Sequence, residues 1–104
     1  MFREVDFQGL MSLIEGGSTF LLDIYAKWCH PCKLLDKEIG LAVDAIKNVE
    51  VVRIDYDRNT QVIDYLEVGS LPYLVLFRNG KIVVKLKGFQ KSTTIIEEIR
   101  KARI

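Results

Sequence analysis

The stretch DIYAKWCHPCK, residues 23–33, runs from an apolar, β-rich segment into the start of a helix and places two cysteines, Cys29 and Cys32, at the junction. Upstream, TFLLDIYA (Thr19 to Ala26) is the short continuous run expected of a strand buried on both faces. Downstream, from Pro31 to about Lys47, the pattern becomes helical. Cys32, Leu35, Ile39, Ala42, Val43 and Ile46 fall on one stripe at steps of three and four. Pro31 suits the first turn, where its missing N–H is not needed. A helix N-terminus carries partial positive charge and free N–H groups, so a thiolate at Cys29 is stabilised there and is nucleophilic near neutral pH. Cys32, one turn in, is expected to be buried, and the spacing lets the two sulfurs meet without backbone movement. On the residues alone the pair reads as a redox centre, as part of a metal site with His30, or as two small buried hydrophobes.

Working outward, VEVVRID (Val49 to Asp55) reads as a second strand and NTQVIDYLEV (Asn59 to Val68) as a short helix. YLVLFRNGKIVVKLKG is two strands around Asn79-Gly80, a strong hairpin signal. STTIIEEIRKARI reads as a last helix capped by its hydroxyl residues, with glutamates early and Arg100, Lys101 and Arg103 late. Phe2 to Val5 reads as a weak edge strand, and Phe7 to Glu15 as a helix with Leu10, Leu13 and Ile14 inward, ended by Gly16-Gly17. Gly40 lies inside the long helix at a cost of about 1 kcal/mol relative to alanine. The order β-α-β-α-β-α-β-β-α predicts an α/β fold: parallel strands in the first half, an antiparallel hairpin after them, and helices on both faces.

The 104 residues fit one small domain, 1–104, with 49% hydrophobic and 28% charged residues and a net charge of +1. Charges of both signs are interspersed, which argues against nucleic acid as a partner. The longest apolar stretch, LPYLVLF, is far short of a bilayer span, so no membrane association is expected. MFREVDFQGL lacks the charged, apolar and small-residue regions of a signal peptide, and the expected location is cytoplasmic. Two cysteines are too few for a disulfide scaffold, and in a reducing compartment such a pair is expected to cycle, to bind metal or to stay reduced.

WCHPCK resembles the thioredoxin motif W-C-G-P-C-K, and three further stretches carry the same resemblance. Asp23 lies six residues before Cys29 in an apolar strand, where thioredoxins have a buried aspartate that assists proton transfer at the second cysteine. SLPYLVLF is similar to the segment where the family places a cis-proline facing the cysteines, which implies that Pro72 is cis. FRNGK, followed by Gly88, resembles the closing hairpin and the glycine that flattens the substrate groove. The resemblance covers essentially the whole chain. It implies a thioredoxin fold, a central mixed sheet of four to five strands flanked by helices on both faces.

The activity it implies is protein disulfide reduction. Cys29 attacks a substrate disulfide, and Cys32, deprotonated with help from Asp23, releases the product and leaves a Cys29–Cys32 disulfide. Substrate is expected along Trp28, Leu71, Pro72 and Gly88. The resemblance further implies a monomer, disulfide-containing protein substrates, and a separate flavin reductase that passes electrons from NADPH. The chain has no G-x-G-x-x-G and is expected to bind no cofactor and no metal.

The chain also departs from the pattern. His30 replaces the motif glycine, Tyr25 the tryptophan usual before the motif alanine, Lys37 the helix proline, and Tyr73 the threonine after the cis-proline. The strand lysine usual near the buried aspartate aligns with Val51, so Asp23 is expected to lack a cation and to have its pKa raised by desolvation. His30, beside Pro31 in the gap, is expected to favour the Cys29 thiolate. Each 1 kcal/mol of such preference raises the potential by roughly 20 mV. That makes a thiol oxidant or disulfide isomerase the alternative, and a thioredoxin-fold binding module with incidental cysteines a second one.

Overall fold

The computed structural model describes residues 2–102. The elements follow in the order β1 (Arg3–Glu4), α1 (Phe7–Glu15), β2 (Phe20–Tyr25), α2 (His30–Ile46), β3 (Glu50–Asp55), a 3-10 turn (Tyr56–Arg58), α3 (Thr60–Leu66), β4 (Tyr73–Arg78), β5 (Lys81–Lys87) and α4 (Ser92–Lys101). The five strands form one sheet in the order β1-β3-β2-β4-β5. β1 and β2 run parallel to β3, whereas β4 is antiparallel to β2 and β5 to β4. The parallel part comes from helical crossovers and the antiparallel part from the hairpin, as the alternation of periods predicts.

β2 lies at the centre, so its side chains are buried on both faces. Phe20, Leu22 and Ile24 join Leu10 of α1 and Val62 and Leu66 of α3 on one side. Leu21 joins Leu35, Ile39 and Ala42 of α2 and Ile95 and Ile99 of α4 on the other. Phe20 and Phe77 stack with ring centroids 4.5 Å apart across the first of these layers. At the hairpin, Asn79 (φ 53°) and Gly80 (φ 78°) both take positive φ, as a two-residue turn between strands requires. A side chain at Gly80 would also collide with the Ile14 carbonyl, which ties the hairpin tip to the end of α1.

Two expectations change. The hydroxyl residues do not cap α4: Lys91 is its N-cap, and the Ser92 amide donates instead to Glu38 Oε1 of α2 at 2.8 Å. Its glutamates, Glu97 and Glu98, fall past the first turn, while Arg100 and Lys101 do occupy the last; Arg103 lies outside the described residues. After β3 the start of the 3-10 turn is closed by the Asp57 amide donating to Asp55 Oδ1 at 3.0 Å. A Cβ at Gly40 would meet no atom within 4 Å, and nothing in the structure explains that glycine.

Candidate active site

Cys29 leaves the end of β2 with extended backbone and becomes the N-cap of α2, its sulfur accepting the Cys32 amide at 3.3 Å. That is one of the orphan donors of a helix start, satisfied by sulfur instead of oxygen. Pro31 occupies the first turn. The two cysteines are joined as a disulfide, with Cα atoms 5.3 Å apart. Both are buried, Cys29 to 4% and Cys32 to 2% exposure, so burial does not distinguish them and the cap position does. Ala26, Tyr25, Tyr56 and Leu71 pack around the pair.

Trp28 is 66% exposed, donates from Nε1 to Asp57 Oδ2 at 2.8 Å, and meets Tyr56 edge-on. The Leu71–Pro72 peptide bond is cis. The Gly88 amide donates to the Pro72 carbonyl at 2.8 Å, which draws Gly88 (φ 82°) against that segment. His30 is the first residue of α2 and is exposed.

Asp23 lies inside, 1% exposed, on the α2 side of the sheet. It does not lack a cation. The β2–β3 register sets Val51 opposite Leu21 and Arg53 opposite Asp23, so the positive charge arrives two residues later on the same strand face. Arg53 Nε donates to Asp23 Oδ2 at 3.1 Å. Burial still dominates: it pushes the Asp23 carboxyl up to about 7 against the opposing pull of Arg53, and the Asp36 and Glu4 charges add to the rise. Asp23 Oδ1 is buried with no hydrogen-bond partner among the described residues.

Arg53 is itself held from three directions. Its Nη2 donates to Asp36 Oδ1 at 3.0 Å, and its guanidinium carbon lies 4.0 Å from the Tyr25 ring centroid and 5.5 Å from that of Phe2. Tyr25, at the position where the family usually has tryptophan, donates its hydroxyl to Glu4 at 2.8 Å. Burial and the Glu4 carboxylate push the Tyr25 phenol up to about 12. Beside this group a cleft of about 350 Å³ is lined by Tyr25, Lys27, Cys32, Lys33, Asp36 and Arg53. A larger hollow of about 520 Å³, between β1 and the 3-10 turn, is lined by Glu4, Asp6, Asp55 and Arg58 and offers no nucleophile. Among the described residues no group of three or more His, Cys, Asp or Glu side chains is placed to hold a metal ion.

The structure therefore brings Cys29, Cys32, Trp28 and Leu71 together, sets Pro72 against Gly88, and adds Arg53, Asp36, Asp57 and Glu4. The spacing of Asp36, one helical turn after Cys32, was the available signal for one of these; the register that sets Arg53 opposite Asp23 gave no local signal.

Comparison with known proteins agrees with this fold. The thioredoxin family model matches residues 5–101. Thioredoxin of Staphylococcus aureus is 34% identical over 91 residues, covering 86% of this chain and 86% of that protein. Thioredoxin of Mycoplasma genitalium is 31% identical over 88 residues, covering 85% and 86%. The crystal structure of oxidized mitochondrial thioredoxin 3 of Saccharomyces cerevisiae superposes with a TM-score of 0.87 at 25% identity, covering 96% of this chain and 94% of that one.

Proposed function

The chain belongs to the thioredoxin family, and from that membership we propose how its residues divide the work of disulfide reduction. The chain is a thiol-disulfide oxidoreductase whose working parts are its own two cysteines. Its substrates are disulfides, and a reductase renews the dithiol. The observation that carries the assignment of roles is the Cys29 sulfur capping α2, with Cys32 beneath it in the first turn.

In the reduced chain the Cys29 thiolate, favoured by the helix start, attacks one sulfur of a substrate disulfide. A mixed disulfide forms and the other substrate sulfur leaves as a thiolate. Cys32 gives its proton to Asp23, whose carboxyl near 7 is matched to that task, and the new thiolate attacks Cys29. The second substrate sulfur departs as a thiolate, and two electrons have passed from the chain to the substrate. The substrate lies as an extended segment over Trp28, Leu71 and Pro72 with Gly88 beside it; Leu71 packing against the disulfide, the Gly88 amide on the Pro72 carbonyl and the accessible Trp28 ring support this reading. Electrons come from NADPH through a separate flavin reductase, and the chain acts as a monomer in the cytoplasm, where such a pair is returned to the dithiol.

His30 supports a second reading, a thiol oxidant or isomerase, because an exposed imidazole stands next to the attacking sulfur. Serine substitutions test the division of roles. Cys29→Ser is expected to abolish reaction with a disulfide-bonded protein, and Cys32→Ser to arrest it as a covalent mixed disulfide visible by mass. If Cys29→Ser still traps substrate, the attacking sulfur has been misassigned.

A further inference from the structure

Arg53 presents Nε and Nη2 on one edge of its guanidinium, the pair of donors that ordinarily closes on both oxygens of a single carboxylate. Here the two donors are divided: Nε serves Asp23 Oδ2 at 3.1 Å, and Nη2 serves Asp36 Oδ1 at 3.0 Å. Inside the protein, Asp23 Oδ1 is buried with no hydrogen-bond partner among the described residues. Unpartnered buried oxygens are uncommon and costly. The second donor on the same guanidinium edge, Nη2, is engaged by Asp36.

We propose that Asp36 is a positioning residue for the exchange reaction: it holds one arm of Arg53 outward, and so leaves Asp23 Oδ1 free to take the proton of Cys32. The proposal rests on the thiol-disulfide reading above. Asp36 stands on α2 one turn beyond Cys32, its side chain 38% exposed, and lines the same cleft as Cys32 and Arg53. The Tyr25 and Phe2 rings lie 4.0 Å and 5.5 Å from the guanidinium carbon and add to its hold. The charged groups that act on Asp23 are Arg53 from β3, Asp36 from α2 and Glu4 from β1; its β4 neighbour is Leu74, which carries none, and Tyr25, Lys27, Cys32 and Lys33 line the cleft beside Arg53 and Asp36. Among the described residues only Asp36 accepts from Arg53 Nη2. Without Asp36 the guanidinium closes on both Asp23 oxygens, which favours the ionised carboxylate and makes it a weaker proton acceptor.

The test is the titration of the Asp23 side-chain carboxyl, followed by carbon NMR in the full reduced chain, in wild type, Asp36→Ala and Asp36→Glu. Alanine is a strong helix former at an accessible position, so α2 is kept. In Asp36→Ala the Asp23 midpoint is expected to fall by about one pH unit. The acid limb for release of a preformed Cys29 mixed disulfide is expected to move with it. Glutamate is expected to restore both. Asp36→Asn, which keeps an acceptor for Arg53 but removes the charge that itself raises the Asp23 carboxyl, is expected to lower the midpoint less than Asp36→Ala, and an equal fall in the two overturns the proposal. A midpoint that stays or rises in Asp36→Ala overturns the proposal, as does a midpoint that falls while the acid limb of release stays. The titration reads Asp23 whether or not the chain turns substrate over, so a failed reductase assay and a failed proposal are told apart.

Discussion

His30 and Trp28 stand on either side of Cys29, and both are exposed. Their exposure has different consequences. Trp28 offers contact area, whereas His30 offers charge next to the sulfur that must ionise. An imidazolium at the first position of α2 favours the thiolate, and with it the reduced pair. His30→Ala is therefore expected to lower the potential of the Cys29–Cys32 couple by roughly 20 mV for each 1 kcal/mol of lost preference. Quantitative thiol alkylation after equilibration in glutathione buffers measures it. The difference should shrink as salt is added, because the group is in water. An unchanged potential at low salt would remove His30 from the redox account and take the oxidant reading with it.

Among the elements, α2 does the most: its start carries the disulfide, its inner stripe fills one core layer, and its outer edge supplies Asp36 and Glu38. Glu38 caps a different helix. Glu38→Ala leaves the Ser92 amide without its acceptor and is expected to lower stability by about 1 kcal/mol, read as a shift of the urea midpoint. Glutamine, which keeps an acceptor oxygen, should recover most of it. Local pattern made α1 legible in the sequence, with the same bounds, Phe7–Glu15, that the structure has. It could not reveal this cap, because Ser92 and Glu38 are 54 residues apart and meet only when α2 and α4 pack. The cysteine junction was legible because strand end, proline and helix stripe are all local signals. Arg53 was not, because which β3 residue faces Asp23 depends on a pairing register that is set across the sheet.

For the whole molecule, the buried Asp23 links folding to pH. Its carboxyl moves from an ordinary 3.8 to about 7 in the folded chain. Between those values the folded state binds a proton that the unfolded state has released, so this group's contribution is complete below 3.8 and is lost as pH rises through about 7. The ceiling on that loss is about 4 kcal/mol at 1.36 kcal/mol per unit. Asp23→Asn is expected to flatten this part of the pH dependence and to be more stable than wild type at about pH 8, measured by urea unfolding at several pH values. If both proteins lose stability in parallel, burial of Asp23 is not the cause. A second property belongs to the molecule as a whole, and it follows from Trp28, the only tryptophan in the chain, standing one residue from Cys29 with its indole N–H fixed on Asp57. Sulfur in a disulfide quenches an excited indole at close range and a dithiol does so less, so the light this protein emits follows the state of its own chemistry, and no dye or label is needed to watch it turn over.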